Sequence, residues 1–340
     1  MKKISSYFIV LFITTALLSG FKSNAQDNLD TSKSEFGLLV QYLEENGNYI
    51  NTDAPSMINA TEIKENLKNP KYLIIDIRKD TDYEKGFIKG AINVKSEELI
   101  KYFDKKIKPA NYDKIAIVCY SGQSAAYFSA VLRILGYNNV YTLKWGMSSW
   151  GKSFAQNIWT KNTSSAFTGK LETNSNPMPA KGDTPVLATG KTDAKEILKA
   201  RAEMAIATVY KDFITKAEDV FANPANYYIV SYWNEEMYNN GHIPTSVRYE
   251  PKKAFNFAND LTTLPKDKRI IVQCATGQTS AYITAYLHML GYNVGNLAYG
   301  ANGFMNSVLV TKGEGWDAFT PKDINEFPVA TKELAAPGCD

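Results

Sequence analysis

Two kinds of apolar pattern alternate along this chain. Residues 73–77, 115–118 and 140–143 are short, mainly apolar runs, broken only by Asp76 and Thr142, as strands buried on both faces are. Residues 123–135 instead spread their apolar positions around helical turns and stop at Gly136. Residues 91–94 add a shorter strand, and Asn-Ala-Thr-Glu at 59–62 has the form of a capping box opening a short helix. The series then returns. Thr-Lys-Ala-Glu at 215–218 repeats the helix start, 228–230 and 270–273 repeat the strands, and 278–290, stopped by Gly291, repeats the helix. Continuous apolar strands alternating with helices predict an α/β fold, with a parallel sheet flanked by helices on both faces.

The return is a duplication. Residues 117–138 and 272–293 align without a gap, 155 positions apart, with 11 identities in 22. The same offset continues upstream, pairing Tyr83 with Tyr238 and Gly86 with Gly241. Two domains are therefore expected, at 57–155 and 205–317, with 26–56 as an N-terminal extension and 318–340 as a C-terminal tail. Residues 156–204 join them. Within that stretch 160–192 is a polar connector, surface-bound or mobile, and 193–207 reads as an amphipathic helix.

Each copy carries the same loop between a central strand and the helix, CYSGQS at 119–124 and CATGQT at 274–279. A cysteine ending a buried parallel strand stands at the sheet edge where α/β proteins bind ligands. The next five residues turn the chain into a helix. Their N–H groups can converge on the sulfur, and the helix N-terminus adds positive potential. Gly122 and Gly277 allow the tight turn. Such a loop stabilises an anionic sulfur without a histidine. The expected cradle is Tyr120, Ser121, Gly122, Gln123 and Ser124 around Cys119, and Ala275, Thr276, Gly277, Gln278 and Thr279 around Cys274, with the Ser and Thr hydroxyls as extra donors. One buried cysteine is ordinarily a small hydrophobe. Two in the same loop point to chemistry.

With Asp76-Ile-Arg78 ending the strand before it and Gly86-x-Ile-x-x-Ala91 following, the loop resembles the rhodanese domain. Gly241-His-Ile-Pro244 keeps the second of these motifs in the other copy. The resemblance implies two tandem rhodanese-like domains and sulfur transfer without a cofactor. A loop cysteine takes sulfane sulfur from a donor such as thiosulfate, a persulfide or a mercapto-acid, holds it as a persulfide, and passes it to a thiol, cyanide or protein acceptor. It makes Cys119 and Cys274 the nucleophiles. Asp76 and Arg78 are expected as a buried ion pair supporting the first loop; the second copy has Ser231 and Trp233 there. Phosphatases of this fold end a loop one residue longer in an arginine. Ala125 and Ser280 stand at that place, and neither loop holds Arg or Lys, so phosphate lacks its clamp; weak thiosulfate affinity, or a persulfide or mercapto-acid donor, is expected unless basic residues from elsewhere reach the pocket. The other expectation is a non-catalytic sulfur-carrier, sensing or docking module of the cell envelope.

Charge and composition locate the protein rather than define its chemistry. Residues 1–25 have two early lysines, an apolar run and small residues near position 25, the form of a cleavable export signal. Phe21 stands where a lipidation signal needs cysteine, so a periplasmic or secreted protein is expected. Removing the signal takes three lysines and no acids from 38 basic and 35 acidic residues, leaving near-neutrality and no electrostatic footprint for nucleic acid. No later stretch is apolar enough to span a membrane. His242 and His288 are the only histidines and no Cys-x-x-Cys occurs, so no metal site is expected. Cys339, in a polar tail without a repeat partner, reads as an adventitious thiol.

Overall fold

The computed structural model describes residues 33–332; the expected export signal and Cys339 lie outside them. Ten strands form two five-stranded sheets. The first contains β1 (Met57–Ile58), β2 (Tyr72–Asp76), β3 (Ile92–Asn93), β4 (Lys114–Val118) and β5 (Val140–Leu143), in the order β1-β5-β4-β2-β3. The second contains β6 (Ile214–Thr215), β7 (Tyr228–Ser231), β8 (Val247–Arg248), β9 (Ile270–Gln273) and β10 (Val294–Leu297), in the order β6-β10-β9-β7-β8. All pairs are parallel. The duplication extends to register: Ile75 sits opposite Ile117, and Val230 opposite Val272, each 155 residues on. The central strands β4 and β9 are covered on both faces, which explains why they lack alternation.

Four helices organise the interior: α1 (Glu35–Glu45), α2 (Gln123–Ile134), α3 (Ala194–Ala207) and α4 (Gln278–Met289). Helices α2 and α4 follow the two cysteine loops and are the most closely packed helix pair. Nearly every residue of both is buried, because one face covers its own sheet and the other meets the opposite helix. One apolar cluster therefore runs through both copies, including Val131, Leu132, Ile283 and Leu287. The tyrosines at matching positions reach across it. Tyr127 Oη lies 2.7 Å from His288 Nδ1, and Tyr282 donates to the Ser56 carbonyl at 2.5 Å.

The connecting segments tie the copies together further. Helix α1 packs on α3, with Phe36 edge-on to Tyr292. Residues 160–192 have little regular structure but are anchored. Glu172 bridges to His242 through backbone hydrogen bonds, and Leu187 is buried in the central cluster. The C-terminal segment returns to the first sheet, where Phe327 N–H donates to the Trp150 carbonyl and Ala330 pairs with Phe87. The two expected capping boxes are absent. Asn59 caps its helix without a side-chain bond because Glu62 instead accepts from Tyr72 and Lys114. Thr215 is in β6, and the following helix begins after Lys216. No helix among the described residues is long and apolar enough to cross a membrane.

Candidate active site

Each cysteine stands where a central strand ends. The Cys119 carbonyl accepts from Met147 N–H at 2.8 Å and the Cys274 carbonyl from Ala301 N–H at 2.8 Å, so a second loop holds the strand end in each copy. Beyond the cysteine the chain turns through a left-handed glycine, Gly122 at φ 82° and Gly277 at φ 71°, and enters the helix. Two backbone N–H groups then aim at each sulfur. Cys119 Sγ accepts from Gly122 at 3.1 Å and Ala125 at 3.4 Å. Cys274 Sγ accepts from Gly277 at 3.2 Å and Ser280 at 3.1 Å. These donors are unpaired first-turn amides of a helix, and an electron-rich sulfur is their natural partner.

The remaining expected cradle residues divide by role. The N–H donors just past the loop, Ala125 and Ser280, replace a wider ring of amides. Thr276 Oγ1 is 3.8 Å from Cys274 Sγ, while Ser121 Oγ accepts from Gln123. The Ser121 carbonyl accepts from Trp159 Nε1 at 3.0 Å. Tyr120, Ser121 and Ser124 line the cleft beside Cys119 without bonding its sulfur. The glutamine side chains reach out of their own loops, although Gln123 Nε2 still donates to Ser121 Oγ at 3.2 Å. Gln123 Oε1 accepts from Tyr299 N–H and Gln278 Oε1 from Trp145 N–H, each at 2.9 Å. Each loop thus inserts an amide into the other copy. The fit is close: a Cβ on Gly122 would come within 2.1 Å of Gln278 Nε2, and one on Gly277 within 2.7 Å of Gln123 Oε1.

Asp76 and Arg78 form an ion pair of 2.6 Å, both side chains almost wholly buried. Arg78 also donates to the Gly86 carbonyl at 2.7 Å and stacks over the Tyr120 ring at 4.9 Å. The pair thus couples the glycine motif to the residue after Cys119. In the second copy neutral groups do this work: Gln273 donates to Ser231 at 2.7 Å, and Ser231 to Ser246 at 2.9 Å.

The surroundings of the two sulfurs differ more than their loops. Cys119 opens onto a cleft of about 1080 Å³ whose walls come from both copies, whereas Cys274 does not line it. Tyr210 and Tyr299 face Cys119 from the second copy. Burial, with Cys119 nearby, pushes the Tyr299 hydroxyl up to about 12, so it stays protonated. Lys79, Lys95 and Lys211 reach the rim together with Asp80, Asp82 and Glu97, and none of these lysines is in an ion pair among the described residues. Neither histidine is hydrogen-bonded to a cysteine: His242 Nδ1 bonds the Tyr238 carbonyl, and His288 meets Tyr127. Among the described residues no group of three His, Cys, Asp or Glu side chains is placed to hold a metal.

Sequence reasoning missed Tyr210, Asn296 and the crossing of the glutamines. The identity of Gln123 and Gln278 was a signal, but it could not say which loop each amide would enter.

Comparison with known proteins places these features. Residues 59–153 and 221–307 match the family described as rhodanese-like domain. A tRNA uridine(34) hydroxylase from Teredinibacter turnerae is 29% identical over 104 residues, 30% of this chain and 30% of that protein's length. A rhodanese-related protein from Thermoplasma volcanium is 26% identical, covering 30% of this chain and 92% of its own, at a TM-score of 0.25. A thiosulfate sulfurtransferase from Pseudomonas aeruginosa is 17% identical, covering 87% of this chain and 48% of its own, at a TM-score of 0.28.

Proposed function

The chain belongs to the rhodanese-like domain family, and from that premise we propose that it is a sulfurtransferase working through a persulfide on Cys119. One observation carries the reading. The Gly122 and Ala125 N–H groups converge on Cys119 Sγ at the floor of an open cleft, so a sulfur added there would be both accessible and held. The Cys119 thiolate attacks the outer sulfur of the donor, the donor's S–S bond breaks, and the remainder leaves with the bonding pair. A thiol or cyanide then attacks the outer sulfur of the persulfide and restores the thiolate.

The cleft adds lysines that the loop sequence lacks. Lys79, Lys95 and Lys211 stand there among Asp80, Asp82 and Glu97, so an anionic donor would meet single lysine contacts rather than a net positive field. Asp76 and Arg78 act by supporting the loop through their ion pair and the backbone, while Arg78 Nη1, at the cleft wall, has no hydrogen-bond partner among the described residues. Both cysteines are buried, but only Cys119 lines the cleft, which favours a carrier or structural role for the second loop over independent turnover.

Intact-mass analysis after donor treatment tests this. Wild type and Cys274→Ser should each gain one sulfur atom on Cys119, and Cys119→Ser should gain none there and lose turnover. Full activity in Cys119→Ser would sink the proposal.

A further inference from the structure

A chain of hydrogen bonds with a fixed direction runs from Cys274 through Ser280 and Asn296 to Tyr210, which lines the cleft with Cys119. Asn296, on β10, is completely buried, and its amide nitrogen donates to the Gly277 carbonyl at 2.9 Å, a group that can only accept. That contact decides which way round the amide sits. Its oxygen accepts from Ser280 Oγ at 2.5 Å, and its second N–H donates to Tyr210 Oη at 2.8 Å. Nδ2 also lies 3.5 Å from Gln123 Oε1, a longer contact that leaves the assignment unchanged.

The two ends of the chain therefore differ. The Ser280 proton is committed to Asn296, so Ser280 Oγ faces Cys274 as an acceptor, and the Cys274 thiol donates to it at 3.3 Å. Tyr210 Oη already accepts from Asn296, so its own proton is free, and no described residue takes it. Tyr210 lines the cleft together with Cys119. Burial pushes its hydroxyl well above the ordinary range against the Asn296 hydrogen bond, and both cysteines push it further, so the proton stays on the oxygen. At Cys119 the residue matching Ser280 is Ala125, which offers no acceptor.

We propose that Tyr210, supplied by the second copy, is the hydrogen-bond donor to sulfur carried on Cys119, oriented by Asn296 as a positioning residue. This rests on the sulfur-transfer reading. With thiosulfate as donor, the Cys119 thiolate attacks the outer sulfur, the S–S bond breaks, sulfite leaves with the bonding pair, and Cys119 carries a terminal S⁻. No proton moves. The new anion is what the Tyr210 O–H meets, beyond the reach of the amides that hold Sγ. The same chain holds Cys274 as a hydrogen-bond donor, which keeps turnover on Cys119.

The test uses the full chain, with thiosulfate and cyanide. Tyr210→Phe keeps the ring and loses the donor. The kcat is expected to fall about ten- to a hundred-fold, the scale of a hydrogen bond to a charged group, with KM for thiosulfate changed less than about two-fold. Asn296→Asp keeps the Tyr210 hydroxyl but offers it a carboxylate, turning the proton away from the cleft, and should show the same kcat loss. Wild-type kcat in Tyr210→Phe, with an unchanged melting temperature, would overturn the inference. So would an Asn296→Asp variant that folds normally and turns over like wild type. A wild-type chain that gains no sulfur on Cys119, or full turnover in Cys119→Ser, would instead overturn the sulfur-transfer reading, so the two failures are separable.

Discussion

The exchanged glutamines make a specific claim about energy passing between the copies. Replacing Gly122 with alanine forces a left-handed backbone on a residue with a Cβ, costing about 1–2 kcal/mol. It also drives that Cβ to 2.1 Å from Nε2 of the buried Gln278. Overpacking of that kind adds about 1–3 kcal/mol. Replacing Gln278 with alanine leaves the buried Trp145 N–H without its acceptor, costing about 1–3 kcal/mol. In the double variant the collision with Gln278 is gone, while the other two costs and a tight 3.0 Å approach to the Leu143 carbonyl remain. Gly122→Ala with Gln278→Ala should therefore be about 1–3 kcal/mol more stable than the two single effects added together. Urea unfolding of the four proteins, followed by tryptophan fluorescence, closes the cycle. Additivity within about 0.5 kcal/mol would refute the idea that Gln278 occupies the space Gly122 leaves open.

Three other outcomes are expected. Burial, helped by Arg201, depresses the His288 imidazole to about 4 from an ordinary 6.5. The unfolded chain then binds a proton that the folded chain refuses. Stability should be fully present above pH 6.5 and fall as the pH drops toward 4, by at most about 1.4 kcal/mol per pH unit. His288→Gln should flatten that slope in unfolding curves at pH 7 and pH 5, and an equally steep variant would contradict the assignment. Asp76→Ala leaves the Arg78 guanidinium buried without its counter-charge and should lower stability by about 3–5 kcal/mol, measured by denaturant midpoint. Arg78→Lys, which keeps the charge but cannot reach Asp76, Gly86 and the Tyr120 ring together, should slow sulfur uptake by Cys119 in a mass-resolved time course.

Much of this architecture was legible because the chain states it twice. Central strands β2, β4, β7 and β9 stand out by their apolar runs, with a polar residue only at an end, and α2 and α4 end where Gly136 and Gly291 follow. Edge strands β1, β3, β6 and β8 are harder to see. Each is two residues long, and only the neighbouring strand makes it a strand. The repeat spacing also shifts from 155 to 154 after α4, because the turn from Gly291 to β10 is one residue shorter than that from Gly136 to β5. That shift pairs Trp145 with Tyr299, both at positive φ and each donating its N–H to a glutamine from the opposite loop. Position in the sequence predicted the cysteines. It could not predict Asn296 or Tyr210, whose roles exist only once two distant loops are packed face to face.

The glutamine exchange also imposes an order of events on a newly made chain. The bond from Trp145 to Gln278 joins residues 133 apart, and that from Tyr299 to Gln123 joins residues 176 apart. When the first cysteine loop has been synthesised, the side chain that completes it does not yet exist. The first sheet must wait half-finished, its helix presenting an apolar face to water, until the second arrives. A chain with contacts this distant folds slowly and is vulnerable while it waits. Residues 57–155 made alone should therefore be sticky rather than simply smaller.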